Sequence, residues 1–446
     1  MSSQPLRPQD ASLQNLSPQV QSPWTTAARG GKDPGDPYAA TASPLYQTAT
    51  FGQTSAHAFD EFDYTRTDNP TRRSTEQLLA DLEHADHALL FASGMAAIAA
   101  VLRLAEPGTE VVLGQDLYGG TQRMAHGYLD GVTARHVSLT ADASGELSAL
   151  RCALESGRVS LVLFETPSNP GLCITDIRAV CDLAQEHGAR VAVDATAMTP
   201  WLQRPLDLGA DVVIHSATKG LAGHGDVTAG VVATNDPALH GKLSARRNAE
   251  GSALAPFEAW LLARGVRTLG VRYERTQRSA LQLATALGTL SGVRSVHYPG
   301  LAQHPGHAIH ASQASGGGIL VALEVSSKEV ARRLVEHTRL FTTAVSFGGV
   351  ASSISLPHHM SHASVPEGAA PRPSPCLVRL SVGLEDPEEL LDDLRAALRG
   401  EGGELPQEPT RDSAPSRLRA AALRAQAPER LEPVQSGAAG ASGSSA

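Results

Sequence analysis

A lysine and an aspartate, each at the end of an apolar run, are the residues of this chain best placed to do chemistry. Lys219 follows the run 211–217 inside DVVIHSATKGLAGHGD and stands directly before a Gly-rich turn. Asp194 closes a second run within ARVAVDAT. A lysine amine forms a Schiff base with an aldehyde. A carboxylate pairs with a pyridinium nitrogen and keeps it protonated, so that the ring acts as an electron sink. Together they meet the two needs of a pyridoxal phosphate enzyme. Either residue alone carries little weight, because most lysines are solvated and most strand-end aspartates form turns.

The flanking sequence adds groups suited to a phosphate. In ASGMAAI, residues 92–98, Ser93 and Gly94 close a strand and a helix begins at once. Backbone N–H groups at such a start bind anions, and glycine lets a ligand approach closely. The plainer reading of Ser93 is an N-cap. Ser216 and Thr218 flank the lysine and offer hydroxyls to the same anion, or are simple turn residues. Tyr64 and Arg66, in YTRTDNPT, supply a phenol and a guanidinium, a pairing suited to phosphate but equally at home in a surface turn.

These residues need a framework, and the sequence supplies one. The chain has 446 residues, 41% of them hydrophobic, enough for one large or two medium domains with a sizeable core. Short apolar runs (HALLFA, 110–114, SLVLFE, ARVAVDA, DVVIHSA, AGVVAT) alternate with helical stretches such as 95–105 and DIRAVCDLAQEH. Continuous apolar strands alternating with helices predict an α/β sheet covered on both faces, with ligands beyond the carboxyl ends of its strands. A long helical stretch over 256–290 leads to a smaller unit with strands in GGILVALEV and CLVRLSVG and helices over 328–338 and 387–398. The expected organisation is a flexible arm over 1–37, a large domain over 38–255, a C-terminal domain over 256–400 and a disordered tail over 401–446.

Composition excludes several classes. The net charge is −9 with a pI near 6.0, and basic residues are not massed in one segment, which argues against a nucleic-acid surface. No apolar run spans a bilayer, and the start MSSQPLRPQD lacks a signal-peptide core, so a cytoplasmic protein with no membrane partner is expected. Cys152, Cys173, Cys181 and Cys376 form no CxxC pair and read as reduced thiols. His304, His307 and His310, and His358, His359 and His362, have no carboxylate or cysteine to complete a site, and no metal is expected.

The motifs YTRTDNPTR, FASGMAAI, LYGGTQR, FETPSNP, VDAT, GADVVIHSATKGLAGHGD, PFEAWLLARGVRTLGVR, YPGL and LVRLSVGLED occur in order between about residues 40 and 398. In these the chain resembles the trans-sulfuration family of pyridoxal phosphate enzymes, which act in cysteine and methionine metabolism. The resemblance implies fold type I, the aspartate-aminotransferase-like α/β fold, with a mixed, mostly parallel sheet in its large domain. It implies a homotetramer built from dimers with shared active sites, and a small amino acid substrate.

Carried over to this chain, it implies that Lys219 holds pyridoxal 5'-phosphate covalently and later moves protons. Asp194 holds the pyridine nitrogen, with Thr196 beside it in the VDAT motif. Tyr118 stacks on the ring and serves as acid or base. Gly94, Met95, Ser216 and Thr218 hold the phosphate, and Tyr64 and Arg66 reach the phosphate in a neighbouring subunit. Asn169 contacts cofactor and substrate. Arg379 clamps the substrate carboxylate, which accounts for an arginine inside the apolar strand LVRLSVG. Arg123 and Ser352 are further substrate-side positions.

Three departures bear on the activity. Gly220 stands where the family has Tyr, implying a looser loop with the lysine chemistry intact. In SFGGVASS, Ala351 stands where the family has a Glu near the substrate side chain, which puts cystathionine itself in doubt as substrate. The segment 368–375 is Pro-rich and lacks the family's charged helix turn. Gly120, in YGGT, speaks against a methionine γ-lyase, where Cys is usual. The expected activity is γ-elimination or γ-replacement on cystathionine or an O-acylhomoserine. The alternatives are a cystathionine β-lyase, for which the bulky Phe347 in the SxGG segment is a pointer, a C–S lyase with an altered substrate, and a catalytically inert cofactor-binding regulator.

Overall fold

Uninterrupted Val, Leu and Ile runs have no polar face to give to water, so they form strands only where both faces are covered. The computed structural model, which describes residues 21–31, 36–360 and 372–400, places seven such strands in one sheet. They are β1 (His87–Phe91), β2 (Glu110–Leu113), β3 (Thr133–His136), β4 (Val159–Glu165), β5 (Arg190–Asp194), β6 (Val212–His215) and β7 (Gly230–Thr234). Their order is β1-β7-β6-β5-β4-β2-β3; only β7 runs against its neighbours.

Alternate residues of each strand serve opposite faces. Val111, Leu163, Ala192 and Ile214 pack with Ile98 and Val101 of the helix Gly94–Leu102, while Val162, Phe164, Val191 and Val193 pack with Ile177, Val180 and Leu183 of the helix Ile177–Glu186. The α/β sheet expected from the alternation is thus present, mostly parallel and covered on both sides.

A second sheet contains β8 (Val293–His297), β9 (Leu320–Val325), β10 (Thr342–Thr343), β11 (Ser353–Ser355) and β12 (Leu377–Ser381), in the order β10-β11-β12-β9-β8. It has its own core, where Leu323, Val378 and Leu380 meet Leu283, Leu334, Leu390 and Leu394 from three helices. Each such leucine, buried from water, contributes about 2 kcal/mol.

Two expectations are corrected. Within the arm expected to be flexible, residues Pro23–Arg29 form a helix. Ser22 caps it, Pro23 starts it, Ala27 is buried in the core with Leu78, and the Trp24 ring meets Trp201 edge-on at 4.6 Å. An apolar pair at i and i+3 after a capped proline was signal enough for a docked helix. The stretch 256–290 is two helices, Pro256–Val266 and Leu269–Leu287. At their junction the Thr268 hydroxyl donates to the Gly265 carbonyl and accepts from Arg272 Nε. Residues 1–20, the tail 401–446 and 368–371 of the Pro-rich segment lie outside the described residues, as does His362.

Candidate active site

The carboxyl ends of β4, β5 and β6 lie side by side and open onto one cavity of about 270 Å³. Asp194, the last residue of β5, is 8% exposed and lines it. Its Oδ1 accepts from the Thr196 backbone N–H (3.0 Å) and from the Thr196 hydroxyl. That hydroxyl also accepts from the Ser216 N–H at 2.8 Å, tying the ends of β5 and β6 together. Burial pushes the Asp194 carboxyl above the usual range, against the pull of the Thr196 bonds and of His215. A cation in the cavity would offset that burial.

Lys219 lies four residues beyond β6 and points into the same cavity. Its Nζ donates to Ser346 Oγ at 2.8 Å. Burial, and then the charge of Arg379, lower its pKa to about 8. The turn after Lys219 is not loose, as Gly220 had suggested. The buried Arg272 guanidinium donates to the carbonyls of Gly220 (2.7 Å), Leu221 (3.2 Å) and Gly265 (2.9 Å). A Cβ at position 220 would meet the Tyr273 hydroxyl at 1.9 Å. The space that a side chain at 220 would need is filled from the helix Leu269–Leu287, so glycine here is a packing requirement.

The helix Gly94–Leu102 starts at the cavity. Ser93 caps the helix Gly94–Leu102, its Oγ accepting from Ala96 N–H at 3.1 Å. Gly94, Met95, Ser216 and Thr218 line the cavity there. A Cβ on Gly94 would press on the Ser216 side chain at 2.7 Å, so only glycine allows the helix start and the lysine strand to approach this closely. The Thr218 hydroxyl is engaged with both polar backbone groups of Ala229.

Arg379 comes from β12 of the other sheet and is 2% exposed. It donates to Asn169 Oδ1 (2.8 Å) and to the carbonyls of Val345 (3.3 Å) and Ser346 (3.1 Å), while its Nε has no partner. Burial lowers its pKa to about 10, and it stays charged at neutral pH. The Phe347 ring lies close to both cations, its centroid 5.3 Å from Lys219 Nζ and 5.4 Å from Arg379 Cζ.

Tyr118 also lines the cavity and is 39% exposed. A Cβ on Gly120 would meet the Tyr118 ring at 2.4 Å and Met95 sulfur at 2.6 Å, so Gly120 permits the ring's position.

Two residues expected in this chain's own site, Arg123 and Ser352, lie outside the cavity lining, and Tyr64 and Arg66, expected at a neighbouring subunit's site, do not line it either. Tyr64 and Arg66 line a separate groove with Thr48, Arg72 and Pro256. Arg123, on the helix Gly119–Gly127, is not among the cavity residues. Ser352 is fully buried, and both its N–H and its hydroxyl bond the Glu385 carboxylate, at 2.7 and 2.9 Å. Its observed task is to anchor the loop that carries Ser346 and Phe347. Ala351 is exposed and also outside the cavity lining. Sequence reasoning assigned no role to Glu165, Ser346 or Arg272. Glu165 had a readable signal, since it ends a strand in register with Asp194.

The residues present fit pyridoxal phosphate. A neutralisable amine, a buried carboxylate across from it, a glycine-sized approach to a helix N-terminus and a buried guanidinium with an unpartnered Nε converge on one cavity. Fold and site together define a pyridoxal phosphate enzyme of fold type I.

The chain belongs to the Cys/Met metabolism PLP-dependent enzyme family, which matches residues 24–399. It is 45% identical to the chloroplastic cystathionine beta-lyase of Arabidopsis thaliana over 82% of this chain and 78% of that one. It is 40% identical to the chloroplastic mimosinase of Mimosa pudica, over 81% and 82%. The structure of cystathionine gamma synthase from Xanthomonas oryzae pv. oryzae, in complex with aminoacrylate and cysteine, superposes with a TM-score of 0.80 at 40% identity, covering 85% of this chain and 98% of that one. No helix among the described residues is long and apolar enough to cross a membrane.

Proposed function

We propose that the protein is a carbon–sulfur β-lyase that cleaves L-cystathionine, or a closely related β-substituted amino acid, to pyruvate and ammonia with release of the thiol. The observation that carries this is the position of Phe347, whose ring lies beside both Lys219 and Arg379 and, with Val345, adds an apolar surface to the cavity next to them. Such a surface suits a substrate held by its carboxylate and amine with a thioether close to Cβ. The likeness to the Arabidopsis cystathionine beta-lyase supports it. Cavity retention of Lys219, Asp194, Tyr118 and Arg379 speaks against an inert regulator.

Bound pyridoxal phosphate supplies an electron sink that stabilises negative charge at the substrate Cα. The chain's residues do the rest. Arg379 pairs with the α-carboxylate and fixes the substrate's orientation. Lys219 Nζ, held by Ser346 Oγ, takes the Cα proton and delivers it toward the departing sulfur. Asp194 would pair with the cofactor's ring nitrogen and keep it protonated, and Tyr118 would cover the ring.

The test is product analysis on L-cystathionine. Pyruvate with homocysteine is expected. 2-Oxobutyrate with cysteine would overturn the β-lyase reading in favour of γ-elimination. No product from cystathionine, with pyruvate from other β-substituted alanines, would keep the β-chemistry and move the substrate.

We also infer a dimer as the minimal active unit. Tyr64, 42% exposed, and Arg66, its guanidinium carbon 5.5 Å from the Tyr64 ring centroid, have no place in their own chain's cavity, and they would complete the phosphate end of a neighbour's. Sedimentation of a fully active monomer would sink this inference.

A further inference from the structure

Tyr118 is half-open to solvent, so packing alone does not fix its ring. The backbone that carries the ring is held instead. The Tyr118 N–H donates to Glu165 Oε1 at 2.7 Å, and two residues earlier Asp116 Oδ2 accepts from the Ser168 hydroxyl (2.5 Å) and the Gly171 N–H (2.8 Å). The segment 116–118 is thereby tied at two points to the segment 165–171, which also carries Asn169. Glu165 ends β4, is in register with Asp194 on β5, and lines the active-site cavity beside it. It also lines a second cavity of about 290 Å³ together with Asp116, Ser168 and Cys173, so it forms part of the wall between the two.

We propose that Glu165 is a positioning residue that sets the Tyr118 ring over the cofactor by accepting the Tyr118 backbone N–H at the corner it shares with Asp194. The proposal rests on the reading that Tyr118 and Asp194 face pyridoxal phosphate. Adjacent strands lie under 5 Å apart, and two buried carboxylates at that spacing do not both ionise. Asp194 has two donors from Thr196 and would face the cationic ring nitrogen, whereas Glu165 has the one N–H of Tyr118. Burial, then Asp194 and Asp116, hold the Glu165 carboxyl well above its ordinary range. Of the two carboxyls Glu165 is therefore the one held neutral, and its carbonyl oxygen still accepts from Tyr118. A second anion beside Asp194 is avoided, and the stacking residue keeps its anchor.

This makes the amide the correct mimic and the hydrocarbon the damaging change. Glu165→Leu leaves the Tyr118 N–H without a partner, while Glu165→Gln replaces a neutral acid by a neutral amide that still accepts. The measurements are visible circular dichroism of the bound cofactor, the Kd for pyridoxal phosphate added to apo-protein, and kcat and KM. In Glu165→Leu the dichroism band changes, cofactor Kd rises on the order of 10-fold, and kcat falls by a similar factor with a smaller change in KM. Glu165→Gln recovers most of each loss.

Equal damage from Gln and Leu would show that the group is an anion and overturn the proposal. A Leu variant with unchanged dichroism, Kd and kcat would overturn it as well. Failure of the underlying site reading is distinguishable, because wild-type apo-protein would then take up no stoichiometric cofactor. Thermal unfolding of both variants separates loss of position from loss of fold.

Discussion

Lys219→Ala abolishes turnover, with kcat/KM falling on the order of 10⁴-fold or more for every amino acid the wild-type protein processes. The size of the loss follows from the lack of a substitute. Nζ of Lys219 is the amine that the cavity lining provides, since the other cation there, Arg379, stays protonated and already holds three acceptors. The same side chain makes a second, independent expectation. Covalent capture of the cofactor needs the neutral amine, and burial with the neighbouring Arg379 charge brings Lys219 down to about 8. A base with that pKa is mostly protonated at pH 6 and mostly neutral at pH 9. Uptake of pyridoxal phosphate by the apo-protein therefore accelerates as pH rises and levels off above about 8. A midpoint near that of a free lysine would show that the amine is solvated. Residual activity in Lys219→Ala comparable to wild type would remove the catalytic reading and leave a cofactor-binding protein.

What the sequence disclosed and what it hid differ in physical kind. The strands β1, β2, β4, β5, β6 and β7 were legible because each is buried on both faces and reads as a continuous apolar run. Strand β3, TARH, alternates exposed and half-buried positions at the sheet edge, and β8, VRSVH, has no fully buried position, so neither carries the pattern of a core strand. Lys219, Asp194 and Arg379 were legible because a charged group just after, at the end of, or inside an apolar run needs a reason to be there, whereas Asn169 was read only from its motif. Arg272 and Tyr273 were not. They sit at core positions of an amphipathic helix, and their work on the turn after Lys219 depends on a contact across some 50 residues of chain. Ser352 was read as a substrate residue from its motif position, yet its hydroxyl faces Glu385, 33 residues on. A motif fixes which loop forms a wall, while the direction of each side chain on that loop is set by partners it meets only in the folded state.

Arg379→Leu lowers kcat/KM by on the order of 10²–10⁴, mostly through KM, while the wild-type amount of cofactor still binds. The guanidinium is buried in β12, and among the described residues no carboxylate lies within ion-pair distance of it. Its three acceptors are the amide oxygen of Asn169 and two main-chain carbonyls, and its Nε is unpartnered. A charge desolvated to this degree without an anion is costly, and the sequence accepts that cost at a point that opens on the active-site cavity. The substrate α-carboxylate is the anion that relieves it, by a planar, two-bond contact. Arg379→Lys keeps the charge and loses the fork, so it recovers only part of the loss. The substitution to leucine has a further signature that a packing role would not give. Arg379 is the charge that helps depress Lys219. Removing it raises the lysine pKa, and the midpoint for cofactor uptake moves upward from about 8. A leucine variant with kcat/KM within about 3-fold of wild type would show that the carboxylate is held elsewhere, since even one charged hydrogen bond contributes more than that. A large loss without movement of the uptake midpoint would keep the clamp and disprove the electrostatic coupling between the two cations.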